Sequence, residues 1–113
     1  MKKVLFVMDI QEDMTGTTAS KGPFPITEHQ KLLDHINQQI QRYEKNGDDV
    51  VYIVVALPDN FFFRKLAGIA IKGTPGCEID ARIKRVSQYY FEKSKASAFS
   101  NKDLVHFVKE KGV

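Results

Sequence analysis

Five consecutive apolar residues, Val4-Leu5-Phe6-Val7-Met8, stand near the start of the chain and end at Asp9. A strand with one wet face would alternate in polarity, so an unbroken run predicts a strand covered on both faces, as in a parallel sheet. Residues 50–57 form a second apolar run rich in β-branched side chains. Between the two runs, Leu32, Leu33, Ile36, Ile40 and Tyr43 fall along one face at helical spacing. Thr27 with Gln30 three positions on predicts a capping box, Glu28 suits the first-turn dipole, and Gly47 supplies the stop. Strand, helix and strand in that order predict a right-handed crossover and a parallel pair. The intervening residues 15–25, rich in Gly, Thr, Ser and Pro, predict an exposed loop.

The second half is less regular. Pro58 and Asp59-Asn60 turn the chain, and residues 61–72 are apolar without a clean period, predicting a short helix or lid-like excursion that closes at Gly73-Thr74-Pro75-Gly76. Residues 78–86 predict a loop, residues 89–92 a third strand, and Ser100 the cap of a last helix that buries Leu104, Phe107 and Val108 and ends at Gly112. The expected fold class is α/β, a Rossmann-like three-layer αβα arrangement with a parallel sheet, forming one domain over residues 1–113. Three strands and two main helices cover such a sheet poorly, and Lys111-Gly112-Val113 reads like the approach to a further strand. The pattern therefore predicts a truncated domain whose apolar first strand is left partly exposed, open to self-association or to pairing with a C-terminal segment.

Composition narrows the function without naming it. With 42% hydrophobic and 27% charged residues in 113, the chain has the make-up of a single soluble domain. Its 17 Lys and Arg against 14 Asp and Glu give +3, with the signs interspersed, so no nucleic-acid footprint is expected. Lys2-Lys3 before an apolar run resembles a signal peptide superficially, but Asp9 interrupts the run and no small-residue cleavage site follows. No stretch approaches the roughly 20 apolar residues of a membrane span. The one cysteine, Cys77, has no partner for an internal disulfide, which suits a reducing cytoplasm.

Two residues stand where an open parallel sheet places its binding crevice, at the C-terminal ends of strands: Asp9 after the first and Lys93 after the third. A carboxylate there fits chemistry, and it equally fits a loop cap accepting backbone N–H groups. Lys93 points to the same crevice, or is one more solvated lysine in a stretch that includes Lys95 and Lys102. Phe61, Phe62 and Phe63 either line a pocket or join the core. His29, His35 and His106 lie on the predicted helices and read as surface residues.

Three ordered motifs add a resemblance. The run from Val4 to Asp9 with Ile10-Gln11-Glu12-Asp13-Met14 resembles the opening of the isochorismatase-like and nicotinamidase-like cysteine hydrolases, an apolar strand ending in Asp-x-Gln-x-Asp. Gly73-Thr74-Pro75-Gly76-Cys77-Glu78-Ile79 is similar to that family's Gly-Thr-x-Gly-x-Glu turn, and Phe91-Glu92-Lys93-Ser94-Lys95-Ala96-Ser97-Ala98-Phe99 to its lysine strand and Ser-x-Phe loop. The resemblance implies a Cys-Asp-Lys triad acting on a small amide or enol-ether substrate, with Asp9 as general base and Lys93 favouring the thiolate. It assigns Gln11, Phe61 and Phe99 to substrate contact. The family's nucleophile follows the next strand, beyond Val113, and Cys77 falls in a turn with no catalytic role, so this chain alone is expected to be inactive. The family's Asp and His metal set has no histidine counterpart after the second strand, where Pro58-Asp59-Asn60-Phe61 stands, so no metal and no cofactor is implied. Two other readings remain: a receiver-like phosphoacceptor domain, which wants adjacent acids where Met8 and Ile10 flank Asp9, and a scaffold or interaction module that has lost its nucleophile.

Overall fold

The computed structural model describes residues 3–16, 29–66, 70–93 and 101–111. Strand β1 (Val4–Met8) leads to helix α1 (His29–Lys45), strand β2 (Asp49–Val55), the short helix α2 (Phe61–Leu66), a 3-10 turn at Pro75–Cys77, strand β3 (Tyr90–Lys93) and helix α3 (Lys102–Lys111). The strands form one parallel sheet in the order β1-β2-β3, with Met8 opposite Ile53 and Val55 opposite Lys93. The α/β class and parallel sheet are thus as the apolar pattern predicts.

β2 explains why its run is unbroken. Val50 and Tyr52 pack with Leu33 and Ile40 of α1 on one face, while Val51 and Ile53 pack with Leu104 and Phe107 of α3 on the other. Alternating residues therefore all meet a hydrophobic layer. β1 differs: only Val7 is buried, and its other four residues are half-buried. Among the described residues it pairs with β2 alone, and an apolar groove of about 260 Å³ runs along it beside α1, between Leu5, Val7, Ile10 and Ile36. The expectation of a partly exposed first strand fits this edge position.

α1 buries Leu33 and Ile40 completely, with Ile36 and Tyr43 against the same cluster, but Leu32 is 37% exposed. Leu32 lies about 100° round the helix from Leu33 and misses the buried stripe. The stop is a Schellman arrangement: Gly47 at φ 77° donates to the Glu44 carbonyl at 3.0 Å, and Asp48 reaches back to the Tyr43 carbonyl at 2.9 Å. Thr27 of the expected capping box lies outside the described residues; Gln30 uses its amide on Asp34 and Arg82. Ser100 and Gly112 also lie outside them. At α3 the cap is Asn101, whose Oδ1 accepts from the Asp103 and Leu104 amides at 2.8 and 3.1 Å.

The third strand sits one residue later than the pattern suggests, so Lys93 itself joins the ladder, its carbonyl accepting from the Ala56 amide at 2.8 Å. β2 stops at Val55, because Leu57 leaves the sheet and pairs with Ile71. The irregular stretch after it does contain a short helix, α2, with Phe61 79% and Phe62 62% exposed. Neither ring belongs to the core; the Phe63 side chain is outside the described set. Residues 78–86 form no strand or helix, as expected, yet the chain is held: fully buried Tyr52 donates its hydroxyl to the Lys84 carbonyl and accepts from the Val86 amide. No helix among the described residues is long and apolar enough to cross a membrane.

Candidate functional site

Asp9 and Lys93 come from strands that are not neighbours, 84 residues apart in sequence, with β2 between them. Parallel strands put their C-terminal ends on one edge, and there the two side chains meet. Lys93 Nζ lies 3.3 Å from Asp9 Oδ1 and 3.4 Å from Oδ2. The lysine side chain is 2% exposed and the aspartate 36%, so a buried ammonium faces a carboxylate that still reaches solvent. A buried ammonium requires a counter-charge, which Asp9 supplies. Oδ1 is itself shut from water and makes no directed hydrogen bond among the described residues, so the lysine charge is what compensates it.

The backbone at Asp9 is strained. After its amide donates to the Ile53 carbonyl at 3.0 Å, Asp9 takes φ 62°, in the left-handed region where Asp is one of the few tolerated side-chain-bearing residues. That conformation turns the chain out of the sheet directly at the carboxylate. Such strain persists only where the surroundings over-determine it. Here they do, because the exit segment is zipped to residues 70–83.

The zipper has four fastenings. Gln11, 0% exposed, spends its side-chain amide on Val55 and on the Cys77 carbonyl. Glu12 pairs its amide with the Glu78 carbonyl, and its carboxylate accepts from the Ala81 amide. Asp13 donates its amide to the Gly76 carbonyl and accepts from the Ala70 amide at 2.8 Å. Thr15 gives its hydroxyl to Asp80 at 2.8 Å, and Arg82 ties the Thr15 carbonyl to the Asp80 carboxylate. Asp80 and Arg82 escaped the reading of that stretch as a plain loop. The available signal was a carboxylate and a guanidinium two residues apart beside an apolar isoleucine, which is weak without a structure.

Burial pushes the Asp80 carboxyl up, but donors from the Arg82 side chain and backbone and from Thr15 outweigh it, leaving the group below the ordinary carboxylate range. A depressed folded value means that its stabilising contribution is fully present above the unfolded value of about 3.9 and is lost as pH falls through the folded one. Asp80→Asn is therefore expected to be less stable than the wild type at neutral pH, with the gap in urea midpoint closing below about pH 4. A gap that stays constant from pH 7 to pH 3 would mean that Asp80 folds in without this ionic linkage.

The surroundings of Cys77 disfavour a thiolate. Its thiol is buried and lies 3.3 Å from the Val55 carbonyl, and burial, with Glu92, Glu78 and Asp13 nearby, pushes its pKa up. A reactive cysteine needs the opposite surroundings. Of the other expected contacts, Phe61 stands exposed on α2 with Lys65 Nζ 5.6 Å from its ring centroid, and Phe99 lies outside the described residues. Among the described residues no three His, Cys, Asp or Glu side chains converge as a metal site requires, and His35 and His106 are exposed.

The isochorismatase domain model matches residues 3–113. The chain belongs to the isochorismatase family. No curated protein sequence matches it. Among solved structures, an isochorismatase-like hydrolase from Alkaliphilus metalliredigens aligns over 100% of this chain and 63% of its own, with a TM-score of 0.81 at 23% identity. The nicotinamidase/pyrazinamidase of Bacillus subtilis aligns over 100% and 67%, with 0.77 at 27%. The N-carbamoylsarcosine amidase of Thermoplasma acidophilum aligns over 100% and 64%, with 0.76 at 23%. The two likenesses at 23% establish the fold alone. This isochorismatase-family chain thus spans about two thirds of the length of these hydrolases. Family membership also decides against the phosphoacceptor reading.

Proposed function

We propose that Asp9 and Lys93 are the acid–base and electrostatic half of a hydrolytic site for small amides or enol ethers, and that the nucleophilic cysteine comes from polypeptide outside these 113 residues. The observation that carries this reading is the pair itself: a buried lysine within 3.3–3.4 Å of a strained, half-exposed carboxylate at the crevice edge of the sheet. The Bacillus subtilis neighbour, named as a nicotinamidase/pyrazinamidase, supports amides as the substrate class.

In the proposed reaction Asp9 takes the proton of the incoming thiol, and the thiolate forms a bond to the substrate carbonyl carbon. As the C–N bond breaks, the protonated Asp9 returns the proton to the departing amine. A water then attacks the thioester carbon, giving its proton to Asp9; the C–S bond breaks to release the carboxylic acid, and Asp9 returns the proton to the departing thiolate, restoring the starting state. Lys93 holds the positive charge that makes both the carboxylate and the thiolate tolerable in a site shielded from water. Phe61 and Phe99 are assigned to the walls of the substrate site, and Gln11, fully buried with its side-chain amide spent on Val55 and Cys77, supports that site from beneath without facing the substrate. The apolar edge of β1 is the surface we assign to pairing with the further segment, or to self-association without it. The lone cysteine and absence of paired thiols suit a cytoplasmic setting.

The test is ammonia release from nicotinamide and other small primary amides, by this chain and by a chimera that continues it with the last third of the Bacillus subtilis protein. Release by the folded chimera alone is the expected result. A chimera that folds by circular dichroism yet releases none, or a 113-residue chain active by itself, would remove the proposal.

A further inference from the structure

We propose that Gln11 is a positioning residue that replaces one rung of the β1–β2 ladder with its side chain and thereby sets the distance between Asp9 and Lys93. The inference rests on the reading of those two residues as the working pair.

In a parallel ladder, alternate residues of a strand turn both backbone groups to one neighbour. Asp9 obeys this with its amide on the Ile53 carbonyl, so regular pairing would next send the Val55 amide to Asp9 and bring the amide of residue 11 to the Val55 carbonyl. The left-handed turn at Asp9 takes the β1 backbone away from both groups. Gln11 meets them with a primary amide, which has the same donor and acceptor as a peptide: Oε1 accepts from the Val55 amide at 2.9 Å and Nε2 donates to the Val55 carbonyl at 2.8 Å. The second Nε2 hydrogen goes to the Cys77 carbonyl at 2.8 Å. Both donors are used, and the side chain is 0% exposed.

The geometry links this clamp to the pair. Val55 is the register partner of Lys93, and the next residue, Ala56, donates to the Lys93 carbonyl. The strand end that carries the ammonium is thus fixed through Val55 to a residue two positions from the carboxylate. The turn at Asp9 can leave the sheet without unravelling the end of β2, because a buried amide fills the vacated rung.

The experiment is reductive methylation of the native chain with formaldehyde and cyanoborohydride, followed by peptide mass spectrometry, with exposed Lys45 and Lys109 as internal references. In Gln11→Met, which keeps the length and loses every bond, Lys93 is expected to label about tenfold faster relative to those references than in Leu104→Ala, a core variant compared at matched global stability. A purely structural role for Gln11 would give the two variants equal Lys93 rates, and that result overturns the proposal. If Gln11→Met does not fold, the wild type decides by NMR: both Gln11 side-chain amide protons are expected to exchange slowly with water, and fast exchange of either overturns it. Neither readout depends on turnover, so an inactive chimera leaves them standing, and equal labelling would remove the role of Gln11 without touching that of Asp9 and Lys93.

Discussion

Gly76→Ala is expected to lose about 2–4 kcal/mol of stability, far more than a glycine-to-alanine change in a turn normally costs. A Cβ at position 76 would stand 2.1 Å from Asp13 Oδ2, 2.2 Å from Oδ1 and 2.3 Å from Cγ. The carboxylate has little room to retreat, being 8% exposed and held by the Ala70 amide, while its own backbone amide is bonded to the Gly76 carbonyl. Either the exit segment after β1 or the turn at Pro75–Cys77 must shift, and both support the site. For a domain of this size the loss corresponds to a fall in Tm of roughly 10–20 °C. The cause is testable by a double-mutant cycle. Gly76 lacks the positive φ of Gly47 and Gly73, so its backbone suits alanine once the carboxylate is gone. In an Asp13→Ala background the same change should be close to neutral, or slightly stabilising through a stiffer unfolded chain. If the two costs simply add, the carboxylate is not the obstacle.

The parts of this protein that were readable in its sequence are those that repeat or sit at a topologically special place. The unbroken apolar run of β2 and the helical period of the Leu33–Ile36–Ile40 face of α1 are patterns that burial enforces. Asp9 and Lys93 could be paired in advance because every strand of a parallel sheet ends on the same edge, whatever the distance along the chain. The fastenings of the exit segment left no such trace. Gln11 filling a ladder rung, Asp13 lying over Gly76 and Asp80 gathering Thr15 and Arg82 each depend on one side chain reaching a backbone group or partner tens of residues away. Nothing in local propensity or hydrophobic period encodes those reaches. β1 meets both hydrophobic layers, Leu5 and Val7 with the α1 cluster and Val4, Phe6 and Met8 with the α3 cluster, as its apolar run predicts; its half-burial has another source, since among the described residues only β2 pairs with it, and an apolar run does not encode sheet order.

Asp9→Asn and Lys93→Met are expected to reduce kcat/KM of the active chimera by similar factors, about 10²–10⁴, while lowering stability by different amounts. Asparagine keeps the shape of Asp9 and tolerates φ 62°, so the backbone turn survives. It leaves Lys93, with 2% of its side chain exposed, without the carboxylate charge at 3.3 Å, and weakening the compensation of a buried ammonium is destabilising. Lys93→Met removes that charge, fills its place with an unbranched apolar side chain, and leaves Asp9 a carboxylate with 36% of its surface still reaching water. It still strands the buried Oδ1 of Asp9, so some stability should be lost, but less than in Asp9→Asn. Urea midpoints and ammonia-release kinetics on the same preparations separate the two effects. Because the proton acceptor and the charge that supports it act on one thiol, the double variant should be no slower than the worse single one. Losses that multiply would mean that Asp9 and Lys93 serve independent steps, and a single variant retaining more than about a tenth of the activity would remove that residue from the proposed site.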